Sequence, residues 1–243
     1  MTPRTLVTGI PLPNATFDNA SFLSAPSFSE YSRLVIDPAA ASRVIDEVAQ
    51  ETAAHQTYGG QAIVNGEGSS FAFGLLELLQ MRRRETARLL ERGGVIVCLG
   101  HPDAVHTDVA WSRYSWLPED EGFAPATHLL PGFGTKGAAL TVADHPFASF
   151  VQTLEKNIAY RVHVDEDAPA LSQHGRVFAR SAGGSAVGFD LPLAGGQLVF
   201  LPAIEKPEAI RMQVAEVVAE CLDAWDADAA GERPPELIRK EAS

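Results

Sequence analysis

Residues 91–103 read ERGGVIVCLGHPD, and the fold turns on them. Gly93 and Gly94 form a natural helix C-cap, because glycine accepts a left-handed backbone without a Cβ penalty. Val95, Ile96, Val97, Cys98 and Leu99 then make an unbroken apolar run. A strand with one wet face alternates, whereas a strand covered on both faces does not, so this run predicts a central parallel strand. Just upstream, residues 71–92 place Leu75, Leu76, Leu78, Leu79, Leu89 and Leu90 near helical spacing, which predicts a long helix. Helix, Gly-Gly and buried strand together read as part of a βαβ crossover. Arg82, Arg83 and Arg84 fall in the middle of that helix and read as its solvated charge.

Outward from this unit the pattern repeats. Residues 5–10 and 33–36 predict strands closed by proline-bearing turns, and residues 14–30 between them read as an ordered loop with apolar anchors. Residues 39–54 predict a helix. Residues 55–70 hold four glycines and read as a loop with a short strand at 62–64. Residues 101–136 read as a long irregular region. Strands are predicted at 137–142, 158–164, 177–180, 186–191 and 197–201, the last two joined as a hairpin through Ala194, Gly195 and Gly196. A helix at 145–155 takes Asp144 as N-cap with Pro146 in its first turn, and residues 207–225 predict a final amphipathic helix. The expected fold is therefore α/β, a flavodoxin-like doubly wound and mostly parallel sheet with a C-terminal β-hairpin. It forms one domain over residues 1–228, followed by a polar tail at 229–243. Ligands of such sheets sit outside the carboxyl ends of the strands.

Composition narrows the function classes. The 243 residues carry 19 basic and 31 acidic side chains, a net charge of −12. That field repels phosphate backbones and anionic lipid, which argues against nucleic-acid and membrane partners. No stretch approaches 18 apolar residues. Two distant cysteines make neither a zinc signature nor a disulfide framework, so no metal and no cofactor is expected. A cytoplasmic, bacterial-type protein is the expectation.

The run 91–103 resembles the strand-to-helix elbow of class I glutamine amidotransferases, with Cys98-Leu99-Gly100-His101 matching the second half of the Gly-x-Cys-x-Gly-x-Gln pattern. Ile96 stands where the elbow carries glycine, and Pro102 where it carries glutamine. The layout over about residues 85–205 is similar to the ThuA-like (trehalose-utilisation) branch of that fold. The matching elements are Gly93-Gly94, Gly100-His101, the aromatic stretch from Trp111 to Trp116, Asp144-His145-Pro146 and Gly195-Gly196. The amidotransferase resemblance implies a thiolate with a late His-Pro-Glu run supplying base and acid. Here Asp190 stands at the base position and Leu193 at the acid position, which implies a degenerate triad, with a carboxylate that would raise a nearby thiol's pKa.

Candidate functional residues follow from these placements. Cys98, His101 and His145 are the catalytic candidates. His101, Asp103, His106, Asp144 and His145 are the candidates for a small polar ligand at the carboxyl edge. Trp111, Tyr114 and Trp116 pack three large aromatics into six residues, as a protein-docking surface would. Three functions stay open: a non-catalytic protein- or ligand-binding component of a larger assembly, a ThuA-like enzyme acting on a small polar or sugar-like substrate, and a residual Cys98-dependent hydrolase or amidotransferase. A protein partner or a homo-oligomer is expected.

Overall fold

A computed structural model describes residues 4–39, 55–58, 61–64, 70–102, 112–119, 122–132 and 141–229. Its strands are β1 (Thr5–Thr8), β2 (Phe17–Ala20), β3 (Arg33–Ile36), β4 (His55–Tyr58), β5 (Gln61–Val64), β6 (Val95–Gly100) and β7 (Leu129–Pro131), followed by β8 (Thr141–Val142), β9 (Ile158–Ala159), β10 (Val162–Val164), β11 (Arg176–Arg180), β12 (Ala186–Leu193) and β13 (Gly196–Ile204). The α-helices are α1 (Ser70–Glu91), α2 (Pro125–His128), α3 (Ala148–Leu154), α4 (Pro169–His174) and α5 (Arg211–Ala229).

All six residues of β6 are buried, and the strand runs parallel to β3 on one side and β13 on the other. The main sheet has the order β2-β1-β3-β6-β13-β12-β11-β8, with β9 paired to the end of β13. Its first five strands are parallel and the remaining pairings are antiparallel. Taken in chain order, the parallel strands follow the 2-1-3-4-5 arrangement of flavodoxin-like sheets. The pairs β4–β5 and β7–β10 stand outside this sheet.

Successive residues of a strand face opposite ways, so β6 feeds two cores at once. Ile96 and Cys98 face one side, packed with Leu79, Leu89 and Leu90 of α1. Val95, Val97 and Leu99 face the other, where Phe150 and Leu154 of α3 and Val214 and Val218 of α5 cover them. Helices therefore sandwich the sheet. The hairpin between β12 and β13 turns at Ala194 and Gly195, with φ of 49° and 91°. Two consecutive positive φ values make the I′ geometry, whose twist suits a two-residue hairpin.

Several expectations need correction. Residues 14–30 contain β2, an edge strand parallel to β1, where a loop was expected. Residues 55–58 and 61–64 form an antiparallel hairpin where a loop with one short strand was expected. The predicted strand 158–164 divides into β9 and β10, which join different sheets. The irregular stretch 101–136 includes α2 and β7, and α4 precedes β11. Helix α3 begins at Ala148 with Phe147 in the cap position, so Asp144 is not its N-cap. Arg82 is buried instead of solvated. Its guanidinium donates to the carbonyls of Ala25 and Pro26 at 2.7 and 3.0 Å, pairs with Glu85 at 2.8 Å and lies over the Phe28 ring. The helix expected at 39–54 beyond its first residue, the start of the strand at 137–142 and the tail beyond residue 229 lie outside the described residues.

Candidate functional site

The carboxyl ends of β1, β3 and β6 lie side by side, and each delivers one polar residue to the same edge. Thr8 closes β1, Asp37 follows β3 and His101 follows β6. The three are linked: the Asp37 backbone N–H donates to the Thr8 carbonyl at 3.0 Å, and Asp37 Oδ1 lies 2.9 Å from His101 Nε2. That last contact is electrostatic. The carboxylate oxygen sits off the ring's N–H direction, and Nε2 is buried without a hydrogen bond. Thr8 Oγ1 is buried without a partner as well.

His101 is held by its backbone. The Tyr114 hydroxyl accepts from the His101 N–H at 3.0 Å and donates to the His101 carbonyl at 2.5 Å. Tyr114 is itself buried, with its ring 5.9 Å from that of Phe200. The segment carrying it is fastened to α1 by Arg83 Nε donating to the Ser115 carbonyl at 2.9 Å. Trp116 is fully buried, and its indole N–H donates to the Arg113 carbonyl at 2.9 Å. The expected docking surface is therefore corrected for both rings: Tyr114 and Trp116 face the core, where their large apolar area packs, and offer no surface anchor. Trp111, Asp103 and His106 lie outside the described residues.

Cys98 stands in the same row as Thr8 and one row inside Asp37. In register, Thr8 neighbours Ile36, Ile36 neighbours Cys98 and Cys98 neighbours Phe200. The thiol is fully buried. Burial pushes its pKa well up, and the negative charge of Asp37 adds to the rise. Both effects disfavour the thiolate. Asp190 is not the carboxylate beside it. Asp190 aligns with Val199, and Val199 with Val97, so its side chain is on the opposite face of the sheet.

On that opposite face Asp190 belongs to a second polar cluster. His145 Nε2 bonds Asp190 Oδ2 at 2.9 Å, and Arg176 donates to the same oxygen at 2.9 Å. The Phe147 N–H donates to His145 Nδ1 at 3.0 Å. Nδ1 is therefore the acceptor and Nε2 carries the proton. The imidazole stacks on Phe178 at 4.0 Å between centroids. Gly188 makes room for that ring, since a Cβ there would meet it at 3.0 Å. Burial lowers the pKa of His145, opposed by its bond to Asp190. Asp190 also falls below its ordinary value: burial raises it, but His145 and Arg176 outweigh that. With both ring nitrogens engaged and the ring enclosed, His145 is a structural group.

Asp144 is exposed beyond β8, four strands along the sheet from His101 at roughly 4.8 Å per strand. Of the expected ligand cluster, the structure keeps His101 at the edge and sets Asp144 and His145 elsewhere. Thr8 and Asp37 were missed, because each reads in sequence as an ordinary strand end. Among the described residues, no group of three or more His, Cys, Asp and Glu side chains could hold a metal ion. No helix among them is long and apolar enough to cross a membrane.

Comparison with known proteins adds little. No family model matches the chain, and no curated protein matches it. The chain matches solved structures at low identity, two of which follow. Cytoplasmic protein STM3548 from Salmonella typhimurium is 8% identical with a TM-score of 0.41, covering 88% of this chain and 97% of that one. Cytoplasmic protein STM1381 from Salmonella typhimurium LT2 is 11% identical with a TM-score of 0.44, covering 90% and 97%.

Proposed function

We propose that this chain is a non-catalytic domain of the class I glutamine amidotransferase-like type. It binds a small ligand at the carboxyl edge of β1, β3 and β6, as a component of a larger assembly. The observation that supports this reading is the state of Cys98, a thiol enclosed by the sheet and α1 with its ionisation suppressed by burial and by Asp37. A nucleophile needs the reverse, an accessible thiolate beside a base. The polar groups of the edge are better suited to holding a molecule than to activating one. A ThuA-like enzyme would use the same edge, whereas a residual Cys98 hydrolase would need the thiol exposed.

Alkylation of the native protein with iodoacetamide at neutral pH tests the reading. Cys98 should stay unmodified until the chain is unfolded in denaturant. Rapid labelling of the folded protein, with a thiol pKa well below about 8.5, would restore the nucleophile.

A further inference from the structure

Helix α5 is buried unevenly along its length. Val214, Ala215, Val217, Val218, Cys221 and Leu222 are buried, and no residue of the helix after Leu222 is. Among the described residues, its last two turns meet the rest of the protein at Asp226, which pairs with Arg33, and at Trp225. The Trp225 ring lies 5.9 Å from the His145 imidazole and 6.0 Å from the Phe147 ring. His145 and Phe147 belong to the turn that enters α3, where the Ala148 N–H donates to the His145 carbonyl at 2.9 Å. One imidazole therefore stands between the entrance of one helix and the exit of another.

That arrangement fits a neutral ring alone. Nε2 donates to Asp190, so a second proton has to go on Nδ1, which already accepts the Phe147 N–H at 3.0 Å. Two hydrogens would then face each other across that distance, and the bond would become a repulsion. The charged groups around the ring do not supply a new acceptor in place. Asp190, on β12, lies at the other nitrogen and is shared with Arg176. Arg176, on β11, repels an imidazolium, and Asp228, in the last turn of α5, attracts one. Helix α3 contributes no ionisable side chain, and Asp144 is exposed.

We propose that His145 is a proton-operated latch. Neutral, it fastens the entrance of α3 and the end of α5 to the sheet. On taking a second proton from solvent it gives up the Phe147 N–H, the turn at 145–148 opens, and Trp225 comes away with the last two turns of α5. The sheet and the buried part of α5 stay folded, and the rings of Phe147 and Trp225 become accessible. Burial holds the enclosed ring below its ordinary value, and the released ring regains that value of about 6.5, so the closed form prevails at neutral pH and the open form gains as pH falls. The latch lies on the face of the sheet opposite Cys98 and needs no ligand at the carboxyl edge.

The test follows the full chain, ¹⁵N-labelled, from about pH 7.5 to about pH 4.5. The amide signal of Phe147 and the indole signal of Trp225 should move together, with one midpoint below about 6.5, while Val97, Val199 and Val214 hold their positions. Hydrogen exchange at residues 225–229, corrected for its intrinsic pH dependence, should rise by about tenfold or more over the same range. His145→Gln should abolish both changes. Arg176→Gln, at a half-exposed position, should raise the midpoint, because the imidazolium loses the cation that repels it.

The proposal is overturned if the Phe147 and Trp225 signals stay still until the whole protein unfolds. Movement of Val97, Val199 and Val214 at the same midpoint would overturn it as well, since that is a global transition and not a latch. So would a titration that persists in His145→Gln. Should that variant not fold, an unchanged midpoint in Arg176→Gln overturns the proposal in its place.

Discussion

Among the described residues stand two histidine–aspartate pairs, each with 2.9 Å between ring nitrogen and carboxylate oxygen. They behave oppositely. In His145–Asp190 the proton lies on the line of the bond, the second ring nitrogen accepts a backbone N–H, and Arg176 reinforces the carboxylate. In His101–Asp37 the same distance comes without hydrogen-bond alignment, and the ring nitrogen is left unpaired. One pair is closed and holds the fold together. The other, at the edge of the parallel strands, keeps unused bonding capacity, which is what a binding surface needs and a core does not. Distance alone cannot tell these apart; direction and the count of partners can.

Removing each carboxylate should separate the pairs most sharply. Asp190→Ala leaves His145 and the Arg176 guanidinium without their shared acceptor, and should cost about 3 kcal/mol in urea unfolding. Asp37→Ala removes, among its interactions, the electrostatic contact with His101 and the bond to the Ala39 N–H, and should cost about 1 kcal/mol. Equal losses would erase the distinction.

Acid should act through the closed pair. The pKa of folded His145 is depressed below its ordinary 6.5, so below that pH the unfolded chain takes up the proton first. Its contribution to stability is complete above about pH 6.5 and is lost as pH falls toward the folded value, by up to about 1.4 kcal/mol per pH unit. Asp190, also depressed, adds a further loss at lower pH, below its ordinary 3.8. A pH series of unfolding curves should show the first limb, and His145→Gln should flatten it.

Tyr114→Phe sharpens the comparison from the open side. The ring stays buried while both bonds to the His101 backbone vanish, so stability should fall by about 1 kcal/mol. The His101 imidazole signals should move while those of His145 stay in place. The smallest effect belongs to His101→Ala, which should change stability by no more than about 0.5 kcal/mol.

The closed and open pairs were unequally legible in the sequence. The frame was readable wherever composition departs from alternation. The apolar run of β6, the leucine stripe of α1 and the turn at Ala194 and Gly195 each carry a local signal strong enough to place them. Strand β2 hid because its sequence, Phe-Asp-Asn-Ala, holds residues that favour turns, and its outer edge is solvated. The burial of Arg82 was invisible because its acceptors, the carbonyls of Ala25 and Pro26, lie more than fifty residues away in the chain. At the open edge, His101 could be found because it follows the central strand. Thr8 and Asp37 could not, since what distinguishes them is an unmet or misaligned bond, and no composition encodes that. The aromatic stretch misled for a related reason: a ring that braces a loop from beneath has the same sequence signature as one that offers itself to a partner.

The strand order also has a consequence for how the chain is made. β6 completes its pairing with β13, which lies about a hundred residues later. Until the ribosome has delivered that last fifth of the protein, the most apolar strand waits with an open edge. Such an edge is a template for pairing with other nascent chains. Fragments ending before residue 196 should therefore aggregate instead of folding as a smaller version of the whole, and dividing the protein near its middle should yield two halves that need each other to stay in solution.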